Sequence, residues 1–326
     1  MTPLLRFRQR EPQGWGGTVG GSMAGSVRSG GDVLLRRSPA QLWFVRRARL
    51  RLAVLGYHGI SDPDTFAGQL DRLRRIARPV SLDEVEEALA RRRSLPARAV
   101  LLTFDDGERS ILEHGLPLLR ERGIPGVAFV VASAIGSRTP FWWHEVERLV
   151  RAGARVPGEP ARTGAGWLRH LKTVPQQTRL RLLADLREGH GPLVAAQLTA
   201  ADLGTLESGG VRVENHSLTH PLLDRCTDAD VRAEVVDAHE RLTALLGRAP
   251  RSFAYPNGNW DVRAERLLAE LGYRTGFLFD HRLGPRLPDH PLRISRLRVG
   301  SNTRPDRFAT ILSGLHPAVH ALRGGR

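Results

Sequence analysis

One cysteine, one lysine and two methionines are all that this 326-residue chain has of those three residues. Cys226, being alone, excludes an internal disulfide and leaves no cysteine cluster for a structural zinc site, so any metal must be held by histidine and carboxylate. No stretch approaches the ~18–20 consecutive apolar residues of a membrane-spanning helix, and the first residues lack the apolar core of a secretory signal. The expectation from these absences is a protein of the cytoplasm or of the inner face of the membrane. Aromatic residues are sparse, at 6%, and no basic stripe interleaved with aromatics occurs beyond the N-terminal segment, which argues against a nucleic-acid partner.

What is present is mostly ordinary. The 41% hydrophobic and 25% charged content is that of a globular protein, and the length suits one catalytic domain. The net charge of +15 is uneven, with ten arginines against Glu11 and Asp32 in residues 1–51. Lys172 is the single lysine among 49 basic residues, so the charge reflects a general use of arginine. Residues 1–35, rich in Gly, Ser and Arg, cannot bury enough apolar surface to order themselves and are expected to be disordered. Leu42, Trp43, Phe44 and Val45 among arginines suggest either a short amphipathic surface segment capable of peripheral membrane contact or a helix packed on the domain.

From residue 52 to 313 short apolar runs alternate with amphipathic stretches, the pattern of βα units. Strands are expected at Leu52–Gly56, Ala99–Thr103, Gly126–Ala132, Val211–Glu214, Ser252–Ala254, Thr275–Phe279 and Ile294–Val299. Helices are expected between them, several with a clear start: Asp64, Ser81 and Thr199 precede helical spacing of apolar residues. Residues 138–198 break the rhythm and read as a helical insertion, while 314–326 read as a tail. Such an α/β chain is a barrel or an open doubly wound sheet, and both place functional loops at the C-terminal ends of the strands.

Three polar motifs fall at such ends: Thr103-Phe104-Asp105-Asp106-Gly107, His216-Ser217-Leu218-Thr219-His220 and Phe253-Ala254-Tyr255-Pro256-Asn257-Gly258. Adjacent carboxylates repel unless a cation or proton neutralises one. Histidines four apart on a helical turn would present both rings to one ion, and two histidines with one carboxylate leave an open position, the arrangement of a catalytic metal.

These motifs resemble carbohydrate esterase family 4, the polysaccharide deacetylases, whose T-F-D-D-G and H-S-x-T-H motifs occur here without substitution. The resemblance implies a single-domain distorted (β/α)7 barrel over about 52–300 and removal of N-acetyl groups from a glycan partner. It further implies Asp105 as the catalytic base, with Asp106, His216 and His220 as ligands of one divalent ion, zinc or alternatively Co2+, Ni2+ or Mn2+. The third motif departs from the commoner R-P-P-Y-G form: Ala254 replaces the arginine that orients the base, and the F-A-Y-P-x-G form is similar to the branch acting on exopolysaccharides such as poly-N-acetylglucosamine. Arg296, on the last strand, is the candidate substitute. Asn257, through its backbone N–H, and Tyr255 are candidate substrate or oxyanion contacts, and His58 is the candidate proton donor because no clean Leu-x-His motif follows. A deformylase or other amide hydrolase using the same site, and a catalytically silent glycan-binding module, are the alternatives.

Overall fold

The structure, a computed structural model, describes residues 22–323. The apolar runs become nine strands: β1 (Arg51–Tyr57), β2 (Arg78–Pro79), β3 (Ala99–Phe104), β4 (Gly126–Val130), β5 (Val211–Asn215), β6 (Ser252–Ala254), β7 (Thr275–Phe277), β8 (Gly284–Pro285) and β9 (Leu297–Arg298). β3 and β4 are buried at every position, as strands covered on both faces by helices must be.

The main path β7-β6-β5-β4-β3-β1 is parallel throughout. The stretch that ends in β9 joins its two margins: Ile294 bridges Phe277 of β7, while Leu297 and Arg298 pair with Leu55 and Gly56 of β1. Seven parallel segments therefore close into a distorted (β/α)7 barrel. The short β2 and the antiparallel β8 add to β3 and β1 respectively. Glu214, fully buried on β5, accepts from the backbone N–H of Arg251 and Ser252 at 2.7 and 2.8 Å and so holds β6 against β5.

Local signals explain the surrounding helices. Ser81, Thr199 and Thr227 form capping boxes with Glu84, Asp202 and Asp230, fixing the starts of helices Leu82–Ala90, Ala200–Ser208 and Asp228–Leu246. The expected insertion folds as helices Trp142–Arg151, Gly164–Leu171 and Gln176–Arg187 around its own apolar cluster, which includes Trp142, Trp143, Trp167 and Leu183. Trp142 and Trp143 are therefore core residues of the insertion.

Both ends differ from expectation. Residues 1–21 of the segment read as disordered lie outside the described residues, but its remainder is part of helix Ser22–Arg37. That helix docks through Asp32, which accepts from Arg307 Nε at 2.9 Å, so a tertiary ion pair supplies order that local composition does not. Helix Pro39–Ala48 turns Gln41 inward, donating to Ala309 O at 3.4 Å, and leaves Leu42 and Trp43 exposed. The expected tail begins with helix Leu315–Leu322, entered through Gly314 at φ 85°. No helix among the described residues is long and apolar enough to cross a membrane.

Candidate active site

Five strand ends converge on one mouth. β3 delivers Asp105 and Asp106, β5 delivers His216, β1 delivers His58, β6 leads into the turn at Asn257, and the stretch entering β9 carries Arg296. Asp105 and Asp106 are 3% and 4% exposed, so their charges must be compensated within the protein.

Asp105 is compensated by Arg296, itself fully buried. Arg296 donates from Nη1 to Asp105 Oδ1 at 2.6 Å and from Nη2 to Oδ2 at 2.8 Å. Its remaining donors reach Thr103 Oγ1 at 3.1 Å and Leu278 O at 2.6 Å, and its plane lies against Phe129 and Phe279. A forked, stacked guanidinium of this kind fixes a carboxylate in orientation as well as charge. Burial pushes the Asp105 carboxyl up, but the Arg296 charge and then that of His216 more than reverse this and hold it below the usual carboxylate range.

Asp106 is placed differently. Its backbone is left-handed, at φ 71°, and its Oδ1 has no hydrogen-bond partner. That oxygen lies 3.5 Å from His216 Nε2 and 3.5 Å from His220 Nε2. His216 donates from Nδ1 to Ala254 O at 2.7 Å, which turns its Nε2 towards the acid. The His220 ring is buried, and burial followed by the His216 charge depresses it to about 3, so it is neutral at ordinary pH. The carboxylate oxygen lies 3.5 Å from each imidazole nitrogen, close to the ~3.4 Å edge of a tetrahedral shell with ~2.1 Å bonds, and all three ligand atoms lie within 4.8 Å of one another. These residues fit a divalent cation, and they form the one such group among the described residues.

The His-x-x-x-His pair is not on a helix. Residues 216–220 are a loop in which Ser217 and His220 take φ 69° and 58°. The loop is held by polar contacts instead: Asn215 Oδ1 accepts from Ser217 N–H at 2.8 Å, and Ser217 Oγ accepts from His220 N–H at 3.0 Å. Glu234, from helix Asp228–Leu246, accepts from Thr219 N–H at 2.8 Å and from its hydroxyl. Trp142 Nε1 and Arg179 Nη1 donate to His220 O at 3.2 and 3.3 Å, so the insertion braces the same loop. Glu234 and Arg179 carry no motif signature, and only a three-dimensional structure connects them to the site.

The sequence pattern described as Polysaccharide deacetylase matches residues 92–157 and 193–276, which contain the acid pair, both histidines and the third motif. Over these residues the chain is similar to the polysaccharide deacetylase family. Members of this family remove N-acetyl groups from polysaccharides, and metal dependence is general among them. Solved deacetylase structures share the fold. The Streptococcus pyogenes deacetylase PplD in complex with acetate is 19% identical with a TM-score of 0.57, covering 81% of this chain and 99% of that one. IcaB from Ammonifex degensii is 22% identical with a TM-score of 0.56, covering 81% and 97%. The de-N-acetylase from Aggregatibacter actinomycetemcomitans is 15% identical with a TM-score of 0.57, covering 80% and 99%. No curated protein matches the chain significantly.

Set against the deacetylase pattern, the remaining expected site residues separate. His58 is exposed at the mouth, edge-on to Phe279, and its charge helps to keep Asp105 and Asp106 ionised. Asn257 is exposed in the turn Pro256–Gly258, with φ 58°. Tyr255 is not brought to the mouth: its ring is fully buried with Phe253 and Leu268, and the charges nearest its hydroxyl are Glu265, Arg293 and Asp261. The alternation of a short strand explains this, since the side chain before the turn points into the packing layer. His316, which follows Leu315 directly and so lacks the spacer of a Leu-x-His motif, packs with His281 and His320, not with Asp105 or Asp106. Glu108 carries no motif signal in the sequence; burial, then the Asp106 charge, push its carboxyl up to about 7, and its Oε1 lies 3.5 Å from His144 Nε2.

Proposed function

We propose that this deacetylase is a metal-dependent hydrolase that removes acetyl groups from the amino sugars of a linear glycan such as poly-N-acetylglucosamine. The observation that carries the reading is the division of labour between neighbouring acids: Asp105 saturated by Arg296, and Asp106 with a bare buried oxygen between two imidazole nitrogens. Asp106, His216 and His220 would hold the ion, and the two-histidine, one-carboxylate set suits zinc, with Co2+, Ni2+ and Mn2+ as substitutes. When bound, such an ion polarises the acetamide carbonyl and acidifies a coordinated water.

The chain's own groups supply the rest. Asp105, held ionised and oriented by Arg296, accepts a proton from the attacking water. The backbone N–H of Asn257 is a candidate donor to the oxygen that becomes negative as the carbonyl turns tetrahedral. His58, at the exposed mouth, returns a proton to the departing amine, so that one water and one acetamide become acetate and a free amino sugar. The third-motif form, with Ala254 in place of arginine, supports an exopolysaccharide over other glycans. Arg296 also weighs against a silent glycan-binding module, because the orienting arginine missing from the motif is supplied from another strand.

The test is acetate release from N-acetylglucosamine oligomers by the full chain, before and after chelation and after restoring zinc. Release that is abolished by chelator and restored by metal is expected. Tight oligomer binding with no acetate would establish the silent module instead.

A further inference from the structure

The insertion touches the mouth at a second place, away from His220, and does so through the single lysine of the chain. Lys172 follows helix Gly164–Leu171 as its C-cap. It donates from Nζ to Asn257 Oδ1 at 2.8 Å. Asn257 Nδ2 donates in turn to Asn259 Oδ1 at 2.8 Å, and Asn259 Nδ2 to Asp224 Oδ2 at 3.0 Å. Four side chains thus form a polar strap running from the insertion, over the third-motif turn, to the segment that follows the His motif. The Lys172 charge acts on both Asp106 and His220, which places the ammonium on the acid side of the mouth.

The turn under this strap needs holding. Asn257 and Gly258 are consecutive left-handed residues, at φ 58° and 82°. Gly258 lies so close to Phe279 that a Cβ would come within 2.5 Å of the Phe279 backbone nitrogen, and the turn carries backbone hydrogen bonds from Gly258 N–H to Tyr255 O at 2.7 Å and from Asn259 N–H to Pro256 O at 3.2 Å. Although asparagine tolerates a left-handed backbone better than most residues, the Asn257 conformation, at φ 58°, is costly without support. A compact ammonium that can approach one amide oxygen suits this task better than a forked guanidinium, in a chain that otherwise uses arginine throughout. Residues 158–192, which contain Lys172, are skipped by the family pattern, so the strap belongs to this chain's own insertion.

We infer that Lys172 is a positioning residue: through the Asn257 side chain it holds the Asn257 backbone N–H in the orientation that receives the developing oxyanion, coupling the insertion to turnover. The inference rests on the proposed role of Asn257. The experiment uses the zinc-loaded full chain with Lys172→Met, with Asn257→Gly, which removes the acceptor yet permits the left-handed backbone, and with both changes. Lys172→Met should lower kcat about ten- to a hundred-fold with little change in KM, the scale of a small misplacement of a catalytic group. It should cause no further loss in the Asn257→Gly background. Independently of activity, amide hydrogen exchange in the peptide covering 255–260 should rise on Lys172→Met, while that covering 101–106 and the bound zinc stay constant. Multiplicative losses in the double variant, a change confined to KM, or unaltered exchange at 255–260 would each overturn the inference. Wild-type chain that released no acetate would sink the proposed function, and the exchange measurement would still decide the strap.

Discussion

Asp105 and Asp106 are adjacent in sequence and almost equally buried, yet their surroundings are opposite. Asp105 receives two charge-assisted hydrogen bonds from an arginine wedged between two phenylalanines. Asp106 faces the Nε2 atoms of two imidazoles, and its Oδ1 has no hydrogen-bond partner. A carboxylate saturated by protein donors is rigid and ready to take a proton; one left bare beside two imidazole nitrogens is incomplete without a cation. The difference shows that burial alone does not assign roles to an acid pair. The partners do.

The most severe way to break this contrast is to remove the bare side. A double His216→Ala/His220→Ala variant should lose stoichiometric metal and all activity above background, as measured by elemental analysis and acetate release. Asp105→Asn tests the saturated side: metal content should stay near full while the rate falls by roughly 10²–10⁴, the usual contribution of a positioned proton acceptor. If turnover survives that change at saturating metal, Asp105 is not the base.

Glu234→Gln reaches the bare side indirectly, by loosening the loop between the two histidines. Weakening of metal affinity by about 10–100-fold is expected from loss of such a supporting group, read by competition with a chromophoric chelator. Arg296→Met should leave the Asp105 charge buried and unpaired, costing ~3–5 kcal/mol in a denaturant titration. Much of that loss should disappear in the double variant with Asp105→Asn, since the uncompensated charge is then gone.

The smallest effects are those of pH. The Asp105 carboxyl is held below its ordinary value, so the stability it contributes is complete above about 4 and is lost as pH falls through the lowered value. The stability difference between wild type and Asp105→Asn in metal-free protein should therefore shrink in acid. On the other side, burial lowers the basicity of His216, but Asp105 and then Asp106 more than offset it and raise its pKa above about 6.5. Protons and metal compete for the same Nε2, so metal affinity should fall as pH drops through neutrality. A pH-independent affinity over that range would mean that His216 is not a ligand.

The sequence by itself determined most of the frame. The apolar runs that became β1, β3, β4, β5, β6 and β7 were visible because buried parallel strands are nearly continuous in apolar residues, and helices such as Asp228–Leu246 because their caps are local. It also determined which residues carry chemistry at the strand ends, since adjacent acids and paired histidines are unusual without a partner. Other features depended on chain segments far apart in sequence, and only tertiary structure decided them. Arg296 meets Asp105 because the last strand closes the barrel beside β1. His216 and His220 face one oxygen because left-handed loop residues and Glu234 hold them there, not because a helix spaces them. The helix Ser22–Arg37 and the strap from Lys172 likewise exist through contacts across the fold, where neither composition nor periodicity leaves a trace.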